Sequence, residues 1–133
     1  MIKGACQCGN VQYEADSAIS DLSHCHCSMC RKLHGAAFAT FAAVSKDTFR
    51  WSAGEDVLST YASSDKIDRM FCNVCGSQLI VFYTPEPNLV YLTMGTVDGN
   101  PECPPAYHQF TASKAPWHEI TDGKPQHDAW PDD

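Results

Sequence analysis

Two thiols and a glycine define the stretch Cys72-Asn73-Val74-Cys75-Gly76. This spacing lets both sulfurs bind one ion, and the glycine relieves backbone crowding where amide groups turn toward sulfur. A second pair near the N-terminus, Cys6-Gln7-Cys8, is followed by Gly9 and has the same form with one residue fewer between the thiols. Four thiolates complete a tetrahedral structural zinc site. We therefore predict that the two pairs share one zinc ion, which staples the N-terminal strand to the middle of a sheet.

A third group of thiols lies in Cys25-His26-Cys27-Ser28-Met29-Cys30. Three thiolates this close can wrap one face of a zinc ion, but they cannot easily supply the fourth ligand. An open position accepts an incoming thiolate or water, which makes such a site a place for chemistry. We therefore predict that Cys25, Cys27 and Cys30 form a catalytic zinc site. The catalytic role of His26 beside it would be that of a proton carrier, and direct ligation of the metal by His26 or His24 is the alternative. A redox-active or simply reduced thiol cluster is the alternative.

The composition is that of an ordinary globular protein, with 133 residues, 44% hydrophobic and 19% charged. We expect one domain that spans residues 1–133. The formal charge of −7 argues against nucleic acid as the main partner, because domains that bind it usually carry a basic face. No apolar run approaches the roughly 20 residues that a membrane span requires. The terminal carboxylates Asp132 and Asp133 are expected to be solvated.

Cysteine usage bears on the cellular compartment. The N-terminus lacks the layout of a signal peptide, so a cytoplasmic location is the expectation. The eight cysteines could instead pair as four disulfides in a secreted protein. Thiols two or three positions apart in a reducing compartment are more often metal ligands, which favours zinc. The isolated Cys103 is expected to be a spectator thiol.

Short segments rich in β-branched and aromatic residues indicate a mainly β fold. The predicted strands cover residues 11–15, 36–44, 57–61, 67–71, 78–83 and 89–93. Residues 45–49 are typical of one helical turn with Ser45 as its N-cap. A brief helix is expected from Ser28 to about His34.

The segment after Val97 contains six of the eight prolines, which are Pro101, Pro104, Pro105, Pro116, Pro125 and Pro131. We expect irregular chain that drapes over the sheet. The side chains predicted to tie it down by completing the core are Tyr107, Phe110, Trp117 and Ile120. Stacking of these side chains on a ligand is the alternative.

The cysteine motifs follow one another in a specific order. They are Gly4-x-Cys6-x-Cys8-Gly9-x-Val11-x-Tyr13, Cys25-His26-Cys27-x-x-Cys30-Arg31 and Phe71-Cys72-x-x-Cys75-Gly76-Ser77. A later stretch reads Lys114-Ala115-Pro116-Trp117-x-Glu119-Ile120-x-Asp122-Gly123-x-Pro125. Together they resemble the glutathione-dependent formaldehyde-activating enzyme and centromere protein V family. The resemblance runs from about Gly4 to Pro125.

This resemblance implies a β-tent fold of small antiparallel sheets around a structural zinc. The ligands of that zinc would be Cys6, Cys8, Cys72 and Cys75. It also implies a second, more labile zinc at Cys25, Cys27 and Cys30. The founding activity of the family joins glutathione and formaldehyde into S-hydroxymethylglutathione, and it is classed as a carbon–sulfur lyase for the reverse direction.

A reaction of this kind also needs contacts to a small thiol substrate such as glutathione. Arg31 or Lys32 is the predicted partner for a carboxylate of that tripeptide, with a plain solvated charge as the alternative. Zinc would hold the thiol as a thiolate at neutral pH, and His26 or water would supply the proton. The competing functions are a non-catalytic zinc module that binds another protein and a different thiol- or aldehyde-handling enzyme. The oligomeric state is not indicated by the sequence.

Overall fold

The computed structural model describes residues 1–131, so Asp132 and Asp133 lie outside the described residues. The strands are β1 (Ile2–Ala5), β2 (Gln12–Ala15), β3 (Asp21–Cys25), β4 (Ala39–Ser45), β5 (Phe49–Ala53), β6 (Leu58–Ala62), β7 (Ile67–Cys72), β8 (Gln78–Tyr83), β9 (Leu89–Thr93) and β10 (Tyr107–Gln109). One α-helix, α1 (Ser28–His34), joins β3 to β4. The mainly β fold class is thereby confirmed. None of the helices in residues 1–131 is long and apolar enough to cross a membrane.

The strands form two sheets. A three-stranded antiparallel sheet has the order β1-β2-β5, and a seven-stranded sheet has the order β10-β3-β4-β9-β8-β7-β6. Every neighbouring pair in the larger sheet is antiparallel except β10 and β3, which run parallel. Apolar residues of both sheets share one core cluster, which includes Ile2, Tyr13, Ala15, Ala42, Val44, Ile80, Val90 and Leu92.

Side chains alternate between the two faces of the seven-stranded sheet, as they must along extended chain. In β4, Ala42 and Val44 belong to the shared core, whereas Phe41 belongs to a second cluster that contains Cys25 and Cys30. The second cluster therefore places the three-cysteine group on the face that turns away from the small sheet.

The two cysteine pairs lie where the sheets meet. Cys6 and Cys8 follow β1 of the small sheet, while Cys72 ends β7 of the large sheet and Cys75 stands in the turn to β8. The pairs thus connect the sheets as expected. The connection is near one edge of the large sheet and not at its middle, because β7 has only β6 beyond it.

Both cysteine pairs are followed by a glycine in the left-handed region of backbone conformation. Gly9 has φ of 81° and Gly76 has φ of 83°. Their N–H groups donate back to the carbonyls of Cys6 and Cys72 at 3.0 and 2.8 Å. Other residues adopt such φ values only with strain, so glycine is what allows these turns to close.

The predicted strands and helix agree well with the structure where the sequence pattern is strong. Strands β8 and β9 and helix α1 have the predicted bounds. Ser45 does precede a helical turn, Lys46–Thr48, but its side chain makes no capping bond there. The Thr48 hydroxyl donates to the Ser45 carbonyl instead.

The tail is less irregular than predicted, because β10 adds a parallel strand beside β3. Tyr107 and Phe110 face a cavity and are half-buried. Trp117 is 71% exposed, so its predicted place in the core is wrong. The buried side chain of that stretch is Ala115, which lets the chain lie close to the sheet and leaves the neighbouring indole outside.

Candidate metal centres and the adjoining cavity

The first candidate metal centre joins the two cysteine pairs. The sulfurs of Cys6, Cys8, Cys72 and Cys75 all lie within 4.8 Å of one another. The Cys6–Cys8 and Cys8–Cys72 sulfur distances are 3.5 and 3.8 Å. Tetrahedral zinc with sulfur ligands at its usual bond length would hold the sulfurs about 3.8 Å apart. The four thiols therefore fit a saturated zinc ion.

Hydrogen bonds to the sulfurs of this group favour the thiolate form, which binds cations. The Val11 N–H donates to the Cys6 sulfur at 3.3 Å, and the Ser77 hydroxyl lies 3.2 Å from the Cys75 sulfur. The bond from the Ser77 side chain is the main reason that the pKa of Cys75 is lowered to about 5. Such bonds stabilise thiolates, the form in which cysteine binds metals.

The second candidate metal centre is the three-cysteine group. Cys25 ends β3, Cys27 is the N-cap of α1, and Cys30 lies in the first turn of that helix. Their sulfurs also lie within 4.8 Å of one another. Hydrogen bonds from the Cys25 and Cys30 thiols lower the pKa of Cys27 to about 2. This group could hold a metal ion on one side and leave its other side free.

Arg69 is the charged partner of the three-cysteine group. Its side chain is 2% exposed, and its two terminal nitrogens lie 3.8 and 3.7 Å from the Cys30 sulfur. Its Nε donates to the Ser63 hydroxyl at 2.9 Å. Three thiolates around a divalent cation carry one net negative charge, which a guanidinium balances. With an ion bound there, this balance would account for a buried arginine that has no carboxylate partner in residues 1–131.

The three-cysteine group opens onto a cavity of about 500 Å³ on the outer face of the large sheet. Its lining includes Asp21, Ser23, Cys25, Cys27, Cys30, Arg69, Glu86, Tyr91, Tyr107, Gln109 and Phe110. At the rim, Trp130 stacks on Tyr83 with ring centroids 5.6 Å apart and meets Phe110 edge-on at 4.8 Å. The cavity is therefore mostly apolar in outline, with a few polar groups at defined places, as small-molecule sites usually are.

Two carboxylates mark the part of the cavity far from the thiols along β3. The Tyr107 hydroxyl donates to Asp21 at 2.8 Å, and the Tyr91 hydroxyl donates to Glu86 at 2.5 Å. Burial, followed by these bonds and by the charges of both carboxylates, raises the pKa of Tyr91 and of Tyr107. Both phenols therefore stay protonated at neutral pH.

The predicted proton carrier His26 does not face this cavity. Its ring is fully buried, and its Nε2 lies 2.7 Å from Nδ1 of His108, whose Nε2 contacts Asp122 at 2.8 Å. A carboxylate only accepts, so His108 donates to Asp122 and in turn accepts from His26. Burial, then the charge of His108, lowers the pKa of His26 to about 4. The structure therefore places His26 behind the cavity wall, and its proton-carrying role stays a prediction that this position does not support.

The predicted carboxylate-binding cations also lie elsewhere. Arg31 is half-buried and Lys32 is exposed, and neither lines the cavity. Helix α1 presents Cys30 to the cavity, so the side chains that follow at once point to other sides of the helix. The cation inside the cavity is Arg69, which the sequence analysis missed. Its only signal was a charge at the strand position two residues after Ile67, on the same face.

The remaining predicted residues are readily placed. Cys103 is exposed, and its thiol donates to the Pro101 carbonyl at 3.4 Å, outside both cysteine groups. All eight cysteines are free thiols, so the disulfide alternative is not what the structure contains. His108, Asp122 and the cavity tyrosines were missed because the contacts that define them join distant parts of the chain.

His34 provides a prediction about pH. Burial and the charge of Arg69 lower the pKa of His34 to about 4, whereas an unfolded histidine titrates near 6.5. The unfolded chain therefore binds this proton first as the pH falls from 6.5 toward 4, and the fold loses stability across that window. Between pH 7 and pH 4.5, the free energy of unfolding measured in urea should fall by about 1–2 kcal/mol less in His34→Gln than in wild type. The difference is kept this small because the ring is only partly buried. Equal losses in both proteins would contradict this account.

Comparison with known proteins agrees with these features. The profile of the family described as "Glutathione-dependent formaldehyde-activating enzyme" matches residues 1–113. A Halomonas elongata protein named "Putative glutathione-dependent formaldehyde-activating enzyme" is 30% identical over 127 residues, which cover 90% of this chain and 81% of that protein. An "Uncharacterized lyase" of Schizosaccharomyces pombe is 33% identical over 90 residues, or 68% of this chain and 64% of its own length.

A solved structure shares the fold. The crystal structure of a Rhodobacter sphaeroides protein superposes with a TM-score of 0.64 at 25% identity, covering 74% of this chain and 89% of that one. The family match extends over both cysteine pairs, the three-cysteine group and most of the strands that surround the cavity. The chain therefore belongs to the glutathione-dependent formaldehyde-activating enzyme family.

Proposed function

We propose that the protein is a zinc-dependent carbon–sulfur lyase that acts on a thiol–aldehyde adduct, S-hydroxymethylglutathione, and forms it from glutathione and formaldehyde in reverse. The observation that carries this proposal is the three-cysteine group, which opens onto a cavity of about 500 Å³ instead of being enclosed by protein. The names of the family and of the curated relatives support the same chemistry. The cytosol, where thiols stay reduced, is the compartment that suits this reaction.

The reaction joins the sulfur of the thiol to the carbon of the aldehyde. The carbonyl π bond breaks, and the proton that leaves the thiol is finally carried by the new hydroxyl group. Zinc at Cys25, Cys27 and Cys30 would hold the incoming sulfur as a thiolate at neutral pH. In the lyase direction the same carbon–sulfur bond breaks and the proton returns to sulfur.

Residues of the chain itself would hold the reactants in position and offset the charge that develops. Arg69 places a positive group next to Cys30, at the wall of the cavity where negative charge develops on oxygen. The apolar rim around Trp130 and Phe110 limits the water that reaches the aldehyde. Holding thiol and aldehyde together in such a space removes much of the entropic barrier to their reaction.

Exchange spectroscopy by NMR tests the proposal. With glutathione, formaldehyde and zinc-loaded protein, the exchange between free glutathione and S-hydroxymethylglutathione should be about tenfold or more faster than without protein, a barrier change of about 1.4 kcal/mol. Cys103→Ser, which alters a thiol outside both groups, should exchange as fast as wild type. Unchanged exchange with fully zinc-loaded protein would remove the enzymatic proposal and favour a non-catalytic zinc module.

A further inference from the structure

Gln109 is a buried amide that the proposed reaction does not use. Its side chain is 8% exposed and lines the cavity. Across the β10–β3 pair it stands opposite Cys25, so it lies beside the thiols. Its backbone carbonyl accepts from the His26 N–H. Its side-chain amide makes no hydrogen bond to another residue within 1–131 and is open to the cavity it lines, so both its N–H and its oxygen are available to a ligand.

The acidic end of the cavity is a second, separate observation. Asp21 and Glu86 each accept one phenolic hydrogen bond, and neither forms an ion pair with any residue of 1–131. Arg69, the guanidinium in the cavity wall, is already held by Cys30 and Ser63. The carboxylates therefore leave negative charge at this end that a cationic ligand group would offset.

The spacing of these groups along β3 sets the size of the ligand. Asp21 and Cys25 lie four residues apart on the same face of the strand, which corresponds to about 13 Å. In a γ-glutamyl peptide thiol, an amide lies close to the sulfur and the ammonium group lies eight covalent bonds away, about 10 Å when extended. A hydrogen bond of about 2.8 Å from that ammonium to a carboxylate covers the remaining distance.

We propose that the cavity recognises a peptide thiol with a free ammonium group: Gln109 pairs with the amide beside the sulfur, and Asp21 with Glu86 binds the ammonium. This inference rests on the proposed function only in assigning the sulfur to the three-cysteine end. It places selection for the ammonium group in Asp21 and Glu86, which lie far from the reacting atoms, and it replaces the carboxylate recognition expected of Arg31 and Lys32.

Binding of unreactive ligands tests the ammonium site separately from catalysis. S-methylglutathione and its N-acetyl derivative cannot undergo the reaction, and their binding to zinc-loaded protein can be measured by calorimetry. N-acetylation should weaken binding about tenfold or more in wild type, since it removes a charged hydrogen-bond donor. In the double variant Asp21→Asn/Glu86→Gln the two ligands should bind within about twofold of each other. Equal binding of both ligands to wild type would overturn the ammonium site whether or not the protein is an enzyme.

A charge-matched control separates a local contact from a change in net charge. Asp47→Asn/Glu55→Gln removes the same two charges from exposed positions outside the cavity, and it should keep the full preference for the free amine. Loss of the preference in this control, or its retention in the cavity variant, would contradict the proposal.

Gln109→Leu tests the amide contact. Because the native amide has no partner in the fold, this variant should unfold at the same urea concentration as wild type or a higher one. Both ligands should bind several-fold more weakly, with the preference for the free amine unchanged. Wild-type affinity in a folded variant would contradict the amide contact, and a clearly lower unfolding midpoint would show that the amide serves the fold.

Discussion

Replacing Cys27 with serine is expected to abolish accelerated glutathione–formaldehyde exchange while leaving a cooperatively folded protein. Cys27 is the thiol whose pKa is lowered to about 2, and it also caps the helix that carries Cys30. A serine oxygen can keep part of the capping bond, but it is a far poorer zinc ligand than a thiolate. We expect a loss of about 100-fold or more in the exchange rate, together with the loss of about one bound zinc per chain.

The matched control for this variant is Cys103→Ser, which makes the same chemical change at an exposed thiol. It should retain both the zinc content and the exchange rate of wild type. If Cys27→Ser loses zinc but exchanges glutathione as fast as wild type, the three-cysteine group is not the reactive centre. If instead it fails to fold, Cys25→Ser gives an independent reading, because Cys25 ends a strand and caps no helix.

Replacing Cys72 with serine should mainly destabilise the fold, whereas Cys27→Ser is expected to lose activity and stay folded. Cys72 is fully buried at the end of β7, and its sulfur lies 3.8 Å from that of Cys8. Zinc-binding free energy becomes folding free energy when the site exists only in the folded chain. Loss of a ligand should therefore remove several kcal/mol, a large part of the stability of a domain this size.

Thermal unfolding monitored by circular dichroism would show this as a broad transition or as aggregation at room temperature. Ser77→Ala offers a milder comparison, because it removes only the hydroxyl that contacts Cys75. That variant should unfold cooperatively at a slightly lower temperature. A Cys72→Ser protein with a sharp transition and a full complement of zinc would contradict the structural role of the four-thiol group.

Features set by local sequence could be predicted, and those set by long-range pairing could not. The spacing of Cys72 and Cys75, with glycine after them, dictates a turn that aims two sulfurs at one point. Strands β8 and β9 are likewise predicted by their own β-branched and aromatic residues. Nothing in the three residues of β10 indicates that they run parallel to β3, because that pairing depends on contacts with chain more than 80 positions earlier.

The differences between the predicted and the observed surroundings of the site have the same origin. The orientation of His26 follows from its hydrogen bond to His108 and from the hydrogen bond of His108 to Asp122, both of which require the tail to be in place. Arg69 enters the cavity because β7 and β3 belong to the same sheet. Three strands, β4, β9 and β8, lie between them, and only long-range contacts bring these strands together. A cluster of cysteines identifies the metal, but the surrounding fold decides which other side chains share its cavity.

The central claim is that two zinc ions have separate duties, one in holding the sheets together and one in the reaction. Stepwise removal of zinc with a chelator, followed by zinc content, exchange rate and circular dichroism in the same samples, tests it most directly. The account predicts that loss of the first equivalent abolishes exchange with the fold intact, and that loss of the second unfolds the chain. Exchange that persists until the second equivalent leaves, or unfolding that accompanies the first, would contradict it.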